Sequence, residues 1–193
     1  MRHPIWNYQN SGYYFITINT KNREEYFGII RENTMHLSNI GKIADEELNQ
    51  TVRLRPYVAM DRYVIMPDHI HMILILDEDA AHRGGADHGG PTRGGVARYA
   101  ATGRDGSGTS TAGATDGNMR NPYFSSISPE PQSISSIIRS YKSAVAKRCH
   151  ENGHDDFAWQ SRFHDRIIRD EEELYNVRKY VEENVMRWGM EER

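Results

Sequence analysis

His69-Ile70-His71 is the tripeptide in this chain best suited to hold an ion. Successive side chains of a strand point to opposite faces, so in an extended run both imidazoles leave the same side as two ligands on one wall. Imidazole is the commonest protein ligand for metals, and a hydrogen bond to the far ring nitrogen pins the useful tautomer. The alternative is a pair of half-exposed strand histidines beside a turn. Tyr180 and Asn184 form a second pair about one helical turn apart, so a phenol and an amide stack on one edge of a helix. Leu174, Val177, Val181, Val185 and Trp188 make the apolar stripe of that helix, and the pair lies beside it. There the two tips either reach a cleft at the core margin or simply pack.

The elements that must position these residues are legible from patterning. Tyr13 to Thr20 is aromatic and β-branched after a Ser11-Gly12 break and reads as a strand. A short hairpin is expected around Glu32-Asn33, joining Ile29-Ile30 to Met35-Leu37. Ser38 reads as an N-cap, followed by Ile40, Ile43, Ala44, Glu47 and Leu48 at helical spacing until Pro56 forbids continuation. Tyr57 to Met66 and His69 to Leu76 are β-rich runs joined by Pro67-Asp68, and are expected to pair antiparallel. Regular pattern resumes at Ser133, with Ile134, Ile137, Ile138, Tyr141 and Val145 on one face of a helix ending near His150. A strand over Phe163 to Ile168 follows, and Asp170 with Glu173 signals the start of a last helix running through Trp188. This βαββαβ order, with an added N-terminal hairpin and a C-terminal helix, predicts an α+β fold: a ferredoxin-like, mainly antiparallel sheet.

Composition narrows the setting. The chain of 193 residues is expected to form a single domain, 1–193, interrupted over about 79–132 by a flexible, low-complexity insertion rich in Gly, Ser, Thr and Pro. One cysteine, Cys149, allows no internal disulfide, and Met1-Arg2-His3-Pro4-Ile5 carries no apolar run of signal-peptide length, so a cytoplasmic setting is expected. The longest aliphatic stretch, Met72 to Leu76, is far short of the about 20 residues that cross a bilayer. A net charge of −3 gives no global pull toward nucleic acid. The basic residues are unevenly spread, however, and Arg139, Lys142, Lys147, Arg162, Arg166 and Arg169 gather in the last third. Arg139, Lys142 and Lys147 either hold phosphates or form a solvated helix face. Trp159 and Phe163 flank Arg162, an arrangement that stacks unpaired bases or, alternatively, packs into the core.

Five segments in order carry a resemblance: Tyr14-Phe15-Ile16-Thr17, Ile40-Gly41-Lys42-Ile43, Tyr63 through His71, Trp159-Gln160 with Phe163 through Arg169, and Tyr180 through Asn184. Together they resemble the single-tyrosine HUH transposases, specifically the REP-associated tyrosine transposases, over nearly everything outside the 79–132 segment. The resemblance implies that His69 and His71 bind a divalent metal, Mg²⁺ or Mn²⁺, that Tyr180 is the nucleophile and that Asn184 completes the metal site. It also implies a substrate of single-stranded or hairpin repeat DNA, cut and rejoined through a 5′-phosphotyrosine, by a monomer or homodimer. The chain departs from the family pattern at Asp68, where asparagine is common, and at Val185, where proline often follows the amide. Two other functions fit the same residues: a cleavage-deficient binder of structured repeats, and a hydrolase that uses the histidines to activate water.

Overall fold

In a computed structural model the described residues are 11–77 and 132–191, with side chains described through Trp188. The 79–132 segment lies outside them, except for Gln132. The elements run β1 (Gly12–Asn19), β2 (Gly28–Arg31), β3 (Thr34–Leu37), α1 (Asn39–Arg53), β4 (Val58–Ile65), β5 (His69–Leu76), α2 (Ile134–Glu151), β6 (His164–Ile168) and α3 (Glu171–Glu191). The main sheet has the order β4-β5-β1-β6 with every neighbouring pair antiparallel, while β2 and β3 form a separate hairpin. This is the ferredoxin-like α+β arrangement that the element order predicts. Boundaries move by a residue or a turn: β1 starts at Gly12, β6 at His164, and α3 runs on to Glu191.

Local chemistry accounts for the starts of the helices. Ser38 caps α1 by accepting from the Gly41 amide at 3.1 Å, and Ser133 caps α2 through the Ser136 amide at 3.2 Å. At α3 the Asp170 carboxylate takes the Glu173 amide at 2.7 Å, and the Glu173 side chain reaches back to the Arg169 amide at 3.0 Å. That is a capping box shifted by one residue.

Strand alternation sorts the sheet into two faces. Tyr14, Ile16 and Ile18 of β1 and Ile70, Met72 and Leu74 of β5 are buried on one face, under α1 and α2. Tyr63, opposite Met72, donates its hydroxyl to Asp45 of α1 at 2.7 Å, and Tyr141 of α2 donates to the Ala44 carbonyl of α1 at 3.0 Å. Tyr141 is therefore a core residue. The other face carries Phe15 and Thr17 of β1 with His69, His71 and Ile73 of β5, and α3 lies across it with Val177, Val181 and Val185 buried. Among the described residues no helix is long and apolar enough to cross a membrane.

Candidate active site

The two histidines leave the same side of β5, and their Nε2 atoms stand 3.0 Å apart. Both rings are buried, and each is fixed from behind. Asp68, itself buried, accepts the His69 Nδ1–H at 2.5 Å through one carboxylate oxygen, and the other oxygen pairs with Arg23 at 2.7 Å. Thr17, directly across the β1–β5 ladder, meets His71 Nδ1 at 2.8 Å. Burial first, then the neighbouring His69 and Arg23, pull the His71 imidazole down to about 3, so the ring is neutral near pH 7.

Helix α3 brings the phenol to this pair. The Tyr180 hydroxyl is 3.2 Å from His71 Nε2, and the ring centroids are 5.1 Å apart. Phe15 completes the wall, stacked on His71 at 5.3 Å and edge-on to Tyr180 at 6.0 Å. Trp188, two turns further along α3, sets its ring 5.8 Å from that of His69. Asn184 is buried midway between these two aromatic residues on the same helical edge, so both ends of that edge rest against a histidine. Tyr180 itself is 37% exposed and lines a surface groove.

The two imidazole nitrogens form a donor pair able to hold a divalent cation. With both imidazoles protonated on Nδ1, toward Thr17 and Asp68, each Nε2 offers one lone pair, which at His71 goes to the Tyr180 O–H or to a cation but not to both. Two unprotonated nitrogens then face one another at 3.0 Å, a repulsive contact that a cation between them relieves. That spacing is also what adjacent corners of an octahedron require with bonds of about 2.1 Å. Among the described residues no cluster of three or more His, Cys, Asp and Glu side chains forms an ion site. An ion held by this pair would take any third side-chain ligand from another residue type, and Asn184 is the buried amide on the same edge of α3.

Beside Tyr180 a groove of about 590 Å³ runs between β6 and α3. Arg166 and Arg169 line it together with Phe15, but so do Asp170, Glu172 and Glu173. Arg166 is directly opposite Phe15 in the ladder, with its guanidinium 5.6 Å from that ring and 3.1 Å from Glu173. The other basic residues read from the sequence lie elsewhere. Arg139, Lys142 and Lys147 sit on α2, across the sheet from the histidines. Lys142 is turned inward to the Gln160 and Ser161 carbonyls at 2.5 and 3.3 Å, and Lys147 pairs with Glu151 at 3.7 Å. Arg162 is exposed just before β6. Trp159 takes its core option: it packs against Phe27, Tyr141 and Phe157 and donates its indole N–H to the Lys142 carbonyl at 3.1 Å. An aromatic ring committed to that cluster is not a free platform for bases.

Comparison with known proteins identifies the fold. The sequence matches no protein-family profile. It is 27% identical over 187 residues to an uncharacterized protein of Haemophilus influenzae, covering 97% of this chain and 87% of that one. A solved REP-associated tyrosine transposase bound to a REP hairpin superposes with a TM-score of 0.54 at 19% identity, over 98% of this chain and 75% of that chain. The chain has the fold of a REP-associated tyrosine transposase. The family resemblance carried by the five motifs is thus met in three dimensions.

Sequence reasoning missed several residues of this site. Thr17 is a polar residue between the apolar Ile16 and Ile18, a signal that was present. Trp188 was assigned to the apolar stripe, although it continues the Tyr180–Asn184 edge at the same spacing. Arg23 had no signal, because it reaches Asp68 only through a turn in which Asn22 and Arg23 adopt φ of 56° and 62°.

Proposed function

We propose that this chain is a transposase-like DNA nuclease and strand-transfer enzyme that cuts and rejoins single-stranded or hairpin DNA, with Tyr180 as nucleophile. The observation that carries the proposal is the convergence of Tyr180 Oη, His71 Nε2 and His69 Nε2 within successive distances of 3.2 and 3.0 Å. The fold shared with a REP-associated tyrosine transposase supports it, and the solved relative holds a REP hairpin.

In this reading His69, His71 and Asn184 hold Mg²⁺ or Mn²⁺, which when bound supplies positive charge to a non-bridging oxygen of the scissile phosphate. The protein's own residues do the rest. Phe15 and His71 fix the Tyr180 ring, and α3 holds its oxygen at the height of the histidine nitrogens. Tyr180 Oη bonds to phosphorus as the bond to the 3′ oxygen of the leaving strand breaks. The phenol loses its proton, the 3′ oxygen gains one, and a 5′-phosphotyrosine and a free 3′-hydroxyl result. Since one phosphate ester replaces another, reversal of the step onto a different 3′-hydroxyl joins strands with no nucleotide triphosphate. Arg166 and Arg169 line the groove that leads to Tyr180 and provide phosphate contacts for the strand.

The test is a labelled hairpin oligonucleotide incubated with protein and Mn²⁺ and resolved on a denaturing gel. Wild type gives a covalent protein–DNA band, while Tyr180→Phe gives none and binds the oligonucleotide with similar affinity. Strand breakage that survives in Tyr180→Phe would point to water as nucleophile. Salt-sensitive binding without breakage in any divalent metal would point to a binder that no longer cuts.

A further inference from the structure

Strand β4 contains an irregularity at Asp61. Met60 pairs with Leu74 and Arg62 with Ile73, so one strand carries an extra residue between adjacent positions of the other, which is a β-bulge. In a regular strand Asp61 and Arg62 would point to opposite faces. The bulge turns both to the α3 face. Asp61 receives a two-bond fork from Arg178, with Nε and Nη2 each at 2.7 Å, and Arg62 Nε lies 2.8 Å from a Glu182 carboxylate oxygen as an ion pair without hydrogen-bond alignment. Tyr63 then resumes the normal alternation and bonds Asp45 on the opposite face.

The two partners on α3 occupy one edge of that helix. At about 100° per residue, Arg178 and Glu182 are about 40° apart, and Tyr180 is about 160° from each. The buried stripe of Val177, Val181 and Val185 lies between these edges. Helix α3 is therefore a beam resting on its apolar stripe, gripped by β4 along one side and presenting Tyr180 over β5 and β1 along the other. An apolar stripe resists removal from the sheet but resists rolling poorly, because aliphatic contacts are not directional. The crossed charges, Asp61 with Arg178 and Arg62 with Glu182, oppose one another in sign order along the helix and so also resist sliding.

We propose that the β4 bulge and its two ion pairs are the device that sets the roll of α3 and thereby the position of the Tyr180 oxygen, making Asp61, Arg62, Arg178 and Glu182 positioning residues for the strand-transfer step. The inference rests on the Tyr180 reading given above. The lever is short: with side chains a helix has a radius of about 5–6 Å, so a roll of about 10° moves a peripheral group by about 1 Å. Displacements of that size cost on the order of a hundredfold in rate where two reacting atoms must be aligned.

The experiment compares wild type, Arg62→Glu, Glu182→Arg and the double swap Arg62→Glu/Glu182→Arg. Three quantities are measured: the melting temperature, the single-turnover rate of adduct formation at saturating hairpin DNA with Mn²⁺, and nuclear Overhauser contacts of the Tyr180 ring with the His71 and Phe15 rings. Each single reversal is expected to weaken those contacts and slow adduct formation by roughly tenfold to a hundredfold without changing hairpin affinity. The double swap is expected to restore both. Arg178→Lys, which keeps the charge and loses the fork, replaces any reversal that fails to fold. Full ring contacts and wild-type rates in folded single variants, with only the melting temperature lowered, would overturn the proposal. If wild type forms no adduct, the nuclease reading fails, and the ring contacts alone still decide whether the ion pairs set the place of Tyr180.

Discussion

Replacing Asp68 tests the histidine pair at one of the two positions where this chain departs from the transposase pattern it resembles. In Asp68→Ala the His69 Nδ1–H loses the acceptor that now lies 2.5 Å away, and Arg23 loses its 2.7 Å partner. Two consequences separate. The first is stability: a buried imidazole N–H left unpaired costs about 1–3 kcal/mol, whereas Arg23, half exposed, regains water and contributes little. The second is ion affinity. A His69 ring free to rotate or change tautomer no longer offers its Nε2 toward that of His71, and the loss of such a supporting partner lowers metal affinity by about 10–100-fold. That range is about 1.4–2.7 kcal/mol of binding free energy. Asp68→Asn keeps an acceptor oxygen for Nδ1 and is expected to fall between wild type and Asp68→Ala. Isothermal titration of Mn²⁺ into each protein, well below its melting temperature, reads the effect directly. Equal Mn²⁺ affinity in wild type and Asp68→Ala would refute the tautomer argument. An Asp68→Asn protein as weak as Asp68→Ala would show that the negative charge matters and the acceptor does not. A wild type that takes up no Mn²⁺ would remove the ion from the proposed mechanism.

Two further perturbations probe the surrounding structure. Since His71 titrates near 3 in the folded chain and at about 6.5 when unfolded, the unfolded state binds the extra proton between those values. The stability of the metal-free protein is therefore complete above about pH 6.5 and falls as pH drops toward 3; thermal melts at pH 7 and pH 5 should show this, and His71→Gln should flatten the difference. Gly41→Ala places a Cβ 2.2 Å from the Phe27 carbonyl oxygen and 3.1 Å from its carbon, where only backbone could yield. Overpacking of this kind costs about 1–3 kcal/mol, so circular dichroism should show a melting temperature lower by several degrees, and an unchanged value would contradict the packing described for α1.

What was legible in the sequence follows from the range over which each signal acts. The His69–His71 side of β5 follows from a two-residue period, and the Tyr180–Asn184 edge from a helical one, so each half of the site could be read alone. Ser38, Ser133 and Asp170 announce helix starts because capping is chemistry within three residues. The bulge at Asp61 was invisible for the opposite reason. It is a mismatch between two strands, and nothing in β4 alone tells that Asp61 and Arg62 share a face. The convergence of the histidines with the phenol was supplied by family resemblance alone, because 109 residues separate His71 from Tyr180 and no local pattern spans that gap.

The placement of the basic residues shows a rule that could have been applied to the sequence. In a βαββαβ order, α1 and α2 both connect strands of one sheet, and the fixed hand of such crossovers puts both on the same face. The opposite face is then left for α3. His69 and His71 must accompany the helix that carries Tyr180 if the three are to meet, so any residue on α2 is a full sheet thickness away. Arg139, Lys142 and Lys147 are therefore excluded from contact with a phosphate at Tyr180 by topology, before any side chain is placed. Arg166 is admitted by the same logic, because β6 pairs with β1 and its register sets Arg166 opposite Phe15, on the side of α3. A DNA strand reaching Tyr180 along this groove, as proposed, would pass Arg166 and Arg169, with Glu172 and Glu173 in the same lining. Such a mixed lining would let phosphates meet the two arginines at discrete points, which reconciles the proposed DNA substrate with a net charge of −3.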